Sequence, residues 1–509
     1  MNKTVAQYLA ERARLNTHQL AVVSDEGQWS WGELADISFR LSTRLKQEGV
    51  APGDRVALLA PNSVNYLATW FAITNLGAIA VTVNVGLKGD PLRHAVAFTQ
   101  PSLIVIEENL LAEKKQDLDS LLDEFNTLVF SRDDGVTALI EELEATPAFN
   151  GHSGSPLSIV FTSGTTGLPK GVLNCHEAYL ESGRLLAKRL NIVEQDRILV
   201  MLPLFHANPQ VYAVMTALVT GCSLIIRPKF SASKLFDDAR RFQATLFTYV
   251  GTILAMLINK HPQGDRNHSL TRCVGGGCTL QNWQQIQSLF DIDPYELYGM
   301  SETAGWISAN GVGAYKKGSC GKIRDDIEVM IADEQDYELP SETVGEILIR
   351  PRLPYRILLE YWDNAAANHE VSRNFWFHTG DLGYLDQQGY LHFTGRSKEI
   401  VRKGGENISP AELEAQILRF PKVKDTAVVA VPDPILGDEI KVCIVANTEF
   451  PAHELVEFLA PRVAKFMLPR YIQFLSEIPR TETEKIIRKQ LQDNNFAVHD
   501  LSLASLKEN

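Results

Sequence analysis

The sequence is short of several things, and each shortage closes off a class of protein. Cysteine is scarce: Cys175, Cys222, Cys273, Cys278, Cys320 and Cys443 are the only six in 509 residues. None forms a CxxC pair and no histidine cluster accompanies them. A metal site and a disulfide framework are therefore not expected, and reduced cytoplasmic thiols are. A strongly basic run interleaved with aromatics is also missing, and the net charge is −13, which argues against nucleic acid as the main partner. The opening stretch MNKTVAQYLAERARLN reads as an amphipathic helix without the apolar core of a secretion signal, and the chain ends in Lys-Glu-Asn, where a peroxisomal address would end in Ser-Lys-Leu. Long apolar runs are absent too. Residues 56–87 carry no charge, but Pro61, Asn62, Ser63, Asn65, Asn75 and Gly77 interrupt them. That pattern predicts a strand at Val56–Leu59, a helix near Val64–Leu76 and a strand at Ala78–Val83, with no membrane span.

What is present is the composition of an ordinary globular protein, 45% apolar and 22% charged, in a chain too long for a single core. Short apolar runs at Leu103–Ile106, Leu157–Phe161, Ile198–Met201, Ser223–Ile226 and Ala244–Tyr249 alternate with helical patterns such as Ala178–Arg189 and Pro209–Val219. The alternation predicts a large α/β domain built on mostly parallel sheets. Near residue 395 the texture changes. The basic, glycine-containing stretch GRSKEIVRKGGENISP precedes about 110 residues with their own strand and helix patterns at Thr426–Val431, Ile440–Ala446 and His453–Arg462. A large domain over 1–397 and a small mobile α+β domain over 398–509 are expected.

The stretch FTSGTTGLPKGV, Phe161–Val172, gathers glycines, hydroxyls and a lysine after a strand-like run. It is not a Walker loop, because Lys170 precedes Gly171 and Val172 stands where the metal-binding hydroxyl belongs. It still has the makings of an anion site: glycines let amides converge, hydroxyls donate and Lys170 adds charge. A plain surface loop is the competing reading. VGGGCTL (Val274–Leu280) either admits a flat ring or makes a tight strand-to-helix turn. In YGMSETAG (Tyr298–Gly305), Tyr298 can stack on a base and Glu302 can hold a magnesium ion shared with phosphates, or simply begin a helix. Asp381, in FHTGDLGYLD, can accept from two ribose hydroxyls or close an Asx-turn. Lys485, in PRTETEKIIRKQL, is either functional or a solvated surface lysine.

Together and in this order, the five stretches resemble the adenylate-forming superfamily, and the resemblance runs from about residue 20 to residue 491. Within it, KGGENISPAELE and HTGDLGYLDQQGYLHFTGRSKE are similar to acyl-CoA ligases of the crotonobetaine/carnitine-CoA ligase type. The resemblance implies an AMP-forming acid–thiol ligase working through an acyl-adenylate, with ATP, Mg2+ and CoA. The runner-up it allows is a stand-alone adenylating enzyme that loads a carrier-protein phosphopantetheine. It implies that Thr162, Ser163, Gly164, Thr165, Thr166, Gly167 and Lys170 wrap the β- and γ-phosphates. Gly275, Gly276 and Gly277 would line the adenine and acyl sites, with Tyr298 against the base. Thr303 would touch the α-phosphate, Glu302 the magnesium ion, and Asp381 and Arg396 the ribose. Lys485 would enter for the first half-reaction, Lys398 would be the hinge, and Gly404 and Gly405 would line the pantetheine tunnel. A homodimer is compatible with the resemblance.

Some residues depart from the family pattern. Thr-Glu-Lys, ending at Lys485, replaces Thr-Gly-Lys. Met467 in KFMLPRY stands where related ligases have a CoA-contacting lysine. GSCGKIRDD (Gly318–Asp326) loses the prolines of GSVGRPLPG. By family position the acyl pocket draws on His206–Val211, Phe247–Gly251, Gly275–Gly277 and Tyr298–Trp306, with His206 near the carboxylate. Phe-His-Ala-Asn lacks the Asp that would hold an α-ammonium group, and the four segments lack the arginine a dicarboxylate wants. A neutral acid of small to medium size is expected. A quaternary-ammonium acid is the variant, held over Tyr249 or Trp306 by cation–π contact.

Overall fold

The computed structural model describes the chain except residues 1–2, 163–168, 397–398, 400, 404–405, 434–436, 464, 482–485, 493–498 and 501–509, and gives only the backbone of 402, 406, 407, 437 and 500. By internal contacts it divides into two units: residues 1–328 with 349–377, and residues 329–348 with 378–509. This division by compactness and the expected boundary at 397/398 answer different questions, since a hinge marks where a part turns and need not coincide with where packing is sparse.

The first unit carries two large sheets. In one, six strands run parallel in the order Asp293–Tyr298, Arg272–Gly276, Leu246–Val250, Arg197–Val200, Ser223–Ile226 and Leu20–Val23, with short antiparallel strands at both edges. In the other, Pro156–Thr162, Ile79–Thr82, Arg55–Leu59, Leu103–Glu107 and Thr127–Phe130 are parallel, and Lys170–Cys175 returns antiparallel beside Pro156–Thr162. The uncharged run behaves as expected. Its helix, Val64–Asn75, is capped by Ser63 and buried on every side, which is why it has no polar face to show in sequence. The expected helix near Pro209 is present, but its Gln210–Met215 stretch is a π-helix, packed where Gly183 lets Met215 approach closely.

The second unit contains, from His378 onward, the antiparallel hairpin formed by the strands Trp376–Leu385 and Leu391–Arg396, and a sheet centred on Gly437–Ala446, which pairs with Val423–Asp433 and Tyr471–Phe474. Leu413, Ile417, Val428, Ile440, Val442, Leu455, Leu459 and Ile472 make its core. Among the described residues no helix is long and apolar enough to cross a membrane. The expected fold class, a large multi-sheet α/β part with a smaller α+β part, is the one found.

Candidate active site

The glycine-rich stretch sits at a hairpin. Thr162 ends one strand, Lys170 begins the next, and the two are paired across the ladder, with the Thr162 hydroxyl donating to the Lys170 carbonyl at 3.4 Å. Ser163, Gly164, Thr165, Thr166 and Gly167 lie outside the described residues. Lys170 Nζ stands 5.0 Å from the centre of the Tyr361 ring, and the Tyr361 hydroxyl donates to Glu302 Oε1 at 2.8 Å. Tyr361 reaches this place because the short strand Glu360–Tyr361 pairs with Leu173 and Val172, just beyond Lys170. The Leu358 amide also donates to the Glu302 carbonyl at 2.7 Å. One tyrosine thus ties the lysine of the first motif to the carboxylate of the third. Sequence reading missed Tyr361, whose only signal is an aromatic in LLEYWD.

Glu302 and Thr303 are buried in a 3-10 turn, Ser301–Thr303. The Thr303 hydroxyl donates to the Met300 carbonyl at 2.9 Å and accepts from the Met300 amide at 3.1 Å, so it closes its own turn. Tyr298, buried at the end of its strand, precedes that turn. His206 lies just before the helix that turns into the π stretch, its ring 4.6 Å from that of Phe205. Trp306 is fully buried, and the guanidinium groups of Arg324 and Arg189 lie 5.3 and 5.6 Å from its ring. Its π-face is thereby taken, which removes Trp306 from the expected cation–π role.

The three glycines are explained mainly by backbone crowding. A Cβ on Gly275 would lie 2.0 Å from the Tyr249 carbonyl oxygen, one on Gly251 2.0 Å from the Gly277 carbonyl oxygen, and Gly277 has φ +92°. A Cβ on Gly276 meets only the Leu297 carbonyl oxygen, at 3.2 Å. The tight-turn reading accounts for Gly275 and Gly277 whether or not a ring also approaches. Beneath the turn lies a carboxylate that sequence reading passed over. Glu296 accepts from Tyr249 Oη at 2.7 Å, from the Gly277 amide at 2.7 Å and from the Cys278 amide at 2.9 Å. Burial raises its pKa to about 7 against the lowering effect of these three donors. The strand's period of two was the available signal, since Glu296 shares a face with Tyr298.

A buried ionic network flanks Trp306. Arg324 holds Asp326 through two bonds of 2.9 Å and also donates to the Ser182 hydroxyl at 2.7 Å and the Trp306 carbonyl at 2.8 Å. Asp326 is shared with Arg356 at 3.1 Å, and Arg356 reaches Glu177 at 2.7 Å. This network occupies the stretch where GSCGKIRDD lost its prolines.

In the second unit Asp381 and Arg396 are cross-strand partners in register, and the nearly buried carboxylate lies 3.2 Å from Arg396 Nε. The Asp381 amide donates to the Thr379 hydroxyl at 3.1 Å, so this turn is closed by the threonine side chain and not by the Asp381 carboxylate. Lys485, Lys398, Gly404 and Gly405 lie outside the described residues. Near Lys485, Arg480 pairs with Ile486 as an isolated bridge and holds Asp425 through two bonds of 2.9 Å. Met467 is buried in the unit's core, and Arg470 pairs with Asp433 at 3.1 Å.

Residues 9–362 match the family model of the AMP-binding enzyme, and residues 412–485 that of the AMP-binding enzyme C-terminal domain. The chain is 31% identical over 501 residues to the indoleacetate–CoA ligase of Aromatoleum aromaticum, covering 95% of this chain and 96% of that one. It is 30% identical over 483 residues to the crotonobetaine/carnitine–CoA ligase of Salmonella paratyphi B, covering 91% and 93%. Among solved structures, o-succinylbenzoate CoA synthetase from Bacillus subtilis, in complex with its acyl-adenylate intermediate, superposes with a TM-score of 0.84 at 26% identity over 97% of this chain and 99% of that one. An anthranilate CoA ligase in complex with anthranoyl-AMP shares the fold at a TM-score of 0.89, with 24% identity and 96% of each chain covered. The chain belongs to the AMP-binding enzyme family and is an AMP-forming acid–thiol ligase of its acyl-CoA synthetase branch.

Proposed function

We propose that the enzyme's acid is a neutral carboxylic acid of small to medium size, aromatic acids such as indoleacetate included, and that its thiol is CoA. The observation that carries this reading is the fate of the cations around the acyl segments: Arg324 and Arg189 both lie against buried Trp306, and Arg324 is held by Asp326. Neither of these two arginines is left to hold a second substrate carboxylate. Burial of Met467 in the core of the second unit gives that position a packing role, so its departure from lysine is no reason to prefer a carrier-protein thiol.

Lys170 and Glu302, joined through Tyr361, are assigned to the nucleotide phosphates. Among the described residues no group of three or more metal-binding side chains occurs. Mg2+ fits this, because it is commonly held by one or two carboxylates with substrate phosphates; Glu302 would hold it, and it would offset charge on the attacked phosphorus. Asp381 and Arg396 are assigned to the ribose, Tyr298 and Gly275–Gly277 to adenine and acyl group, Thr303 to the α-phosphate and His206 to the acid's carboxylate. The phosphate loop Thr162–Gly167, Lys485 in adenylation, Lys398 as hinge and Gly404–Gly405 beside pantetheine complete the assignment. The small domain, 398–509, is the part proposed to turn.

Tyr361→Phe keeps the ring beside Lys170 and removes the hydroxyl from Glu302. Loss of such a supporting hydrogen bond costs about 10- to 100-fold in metal affinity or activity, so the variant is expected to need correspondingly more Mg2+ in acid-dependent ATP–pyrophosphate exchange. An unchanged Mg2+ requirement would show that Tyr361 does not orient Glu302. The substrate reading is tested with MgATP and a panel of aliphatic, aromatic, betaine and dicarboxylic acids, with and without CoA, reading acyl-AMP and acyl-CoA by mass spectrometry. Acyl-CoA from neutral monocarboxylates is expected. Turnover confined to dicarboxylates, or acyl-AMP that accumulates in the presence of CoA, would overturn the acid or the thiol respectively.

A further inference from the structure

The carboxylate beneath the glycine turn has no place in the assignments above. Glu296 is almost fully buried, and each of its oxygens is engaged: Oε1 by the Gly277 amide at 2.7 Å, Oε2 by Tyr249 Oη at 2.7 Å and the Cys278 amide at 2.9 Å. Two of the donors are backbone amides of the turn. The third comes from the neighbouring strand, Leu246–Val250, whose Tyr249 pairs in register with Gly275. The Glu296 carbonyl is fixed in turn by Asn310, whose amide donates to it at 2.9 Å and whose side-chain Nδ2 donates at 3.2 Å. The carboxylate therefore joins three elements at the point where Gly251 has no room for a Cβ and Gly277 turns at φ +92°.

We propose that Glu296 is a positioning residue of the ligase reaction: its ionised carboxylate locks the Gly275–Cys278 turn and Tyr249 into the arrangement that seats nucleotide and acid. This inference rests on the reading that Gly275–Gly277 line those two sites. The chemistry of the site asks for a carboxylate, because both ends of the side chain must accept. Glutamine offers one accepting oxygen and would turn its NH2 toward an N–H donor at the other end. A protonated carboxyl likewise converts one accepting oxygen into a donor. The ionised form is thus the working form, although burial opposes it. The titratable groups that sense this charge are Tyr249 on its strand, Cys273 and Cys278 on and after the strand Arg272–Gly276, and Tyr212 in the π-helix. Burial raises the pKa of each, so all four are neutral in the range where Glu296 titrates.

The test compares wild type with Glu296→Gln and Tyr249→Phe, each checked for folding. kcat and KM for acid and ATP are measured over about three pH units centred on about 7, and MgATP binding is measured by calorimetry. Wild-type activity is expected to rise with pH through about 7. Glu296→Gln should lose that rise and lose on the order of 100-fold in kcat/KM, mainly in kcat, as displaced reacting groups do. Tyr249→Phe removes one donor to the anion, so its rise should move to higher pH. A folded Glu296→Gln with wild-type kcat, KM and pH profile would overturn the proposal, as would an unmoved profile in Tyr249→Phe. Should Glu296→Gln fail to fold, Tyr249→Phe decides alone. A wild-type enzyme that binds MgATP but forms no acyl-AMP from any acid refutes the substrate reading instead, and weaker MgATP binding in the variants then still supports the role of Glu296.

Discussion

Replacing Glu302 with glutamine is expected to lower acid-dependent ATP–pyrophosphate exchange on the order of 1,000-fold, the rate equivalent of several kcal/mol of lost charge stabilisation. The size follows from the position. Glu302 is buried in a turn whose backbone is closed by Thr303 and held from outside by the Leu358 amide. Glutamine can occupy the same space and still accept from Tyr361, so the fold should survive while the charge is lost. Circular dichroism and thermal midpoint should match wild type. The defect should appear in kcat far more than in KM for the acid, because the Mg2+ that Glu302 is proposed to hold would act where negative charge meets negative charge. A loss of less than tenfold would place the metal-binding carboxylate elsewhere.

Asp326→Asn should damage the fold. Asp326 is the shared anion between Arg324, which is fully buried, and Arg356, which nearly is. Removing its charge leaves two buried guanidinium groups facing an amide. Breaking a buried pair in this way costs about 3–5 kcal/mol, since the surviving partner stays desolvated. Trp306 should feel the change, because Arg324 lies over its ring and donates to its carbonyl. Urea unfolding of the variant, followed by tryptophan fluorescence, should show an early transition for the first unit. A midpoint equal to wild type would mean that the arginines find other partners or water.

Much of this molecule can be read from short segments, because the chemistry of nucleotide binding is local. Thr162 and Lys170 fall in one contiguous stretch, and their pairing across a hairpin needs only local turn geometry. Asp381 and Arg396 were both named from sequence, and the hairpin between them puts them opposite one another. What stayed hidden depends on contacts distant in sequence. Tyr361 meets Glu302 across 59 positions, and Arg324 meets Ser182 across 142. No periodicity within a strand or helix encodes such meetings. Glu296 is hidden for a different reason: in DPYELY it reads as an ordinary strand residue, and the last of the four acyl segments begins two residues later, at Tyr298. Trp306 was misjudged because an aromatic in a family pocket position reads as available surface, whereas here arginines cover it. Met467 likewise took its reading from a motif when its burial assigns it to the core.

The Glu296 carboxyl also ties folding to proton concentration. Its ordinary value is 4.5 and its folded value is about 7, so between these the folded chain keeps a proton that the unfolded chain has released. The stability it lends is full below about 4.5 and is lost as pH climbs through about 7, an interval worth about 3 kcal/mol. Thermal midpoints of wild type should therefore fall relative to Glu296→Gln over that window, and parallel curves would contradict the linkage. The contributions of this one carboxyl to heat tolerance and to turnover then run in opposite directions along the pH axis: acid strengthens its share of the hold on the folded chain while withdrawing the charged form that the reaction uses.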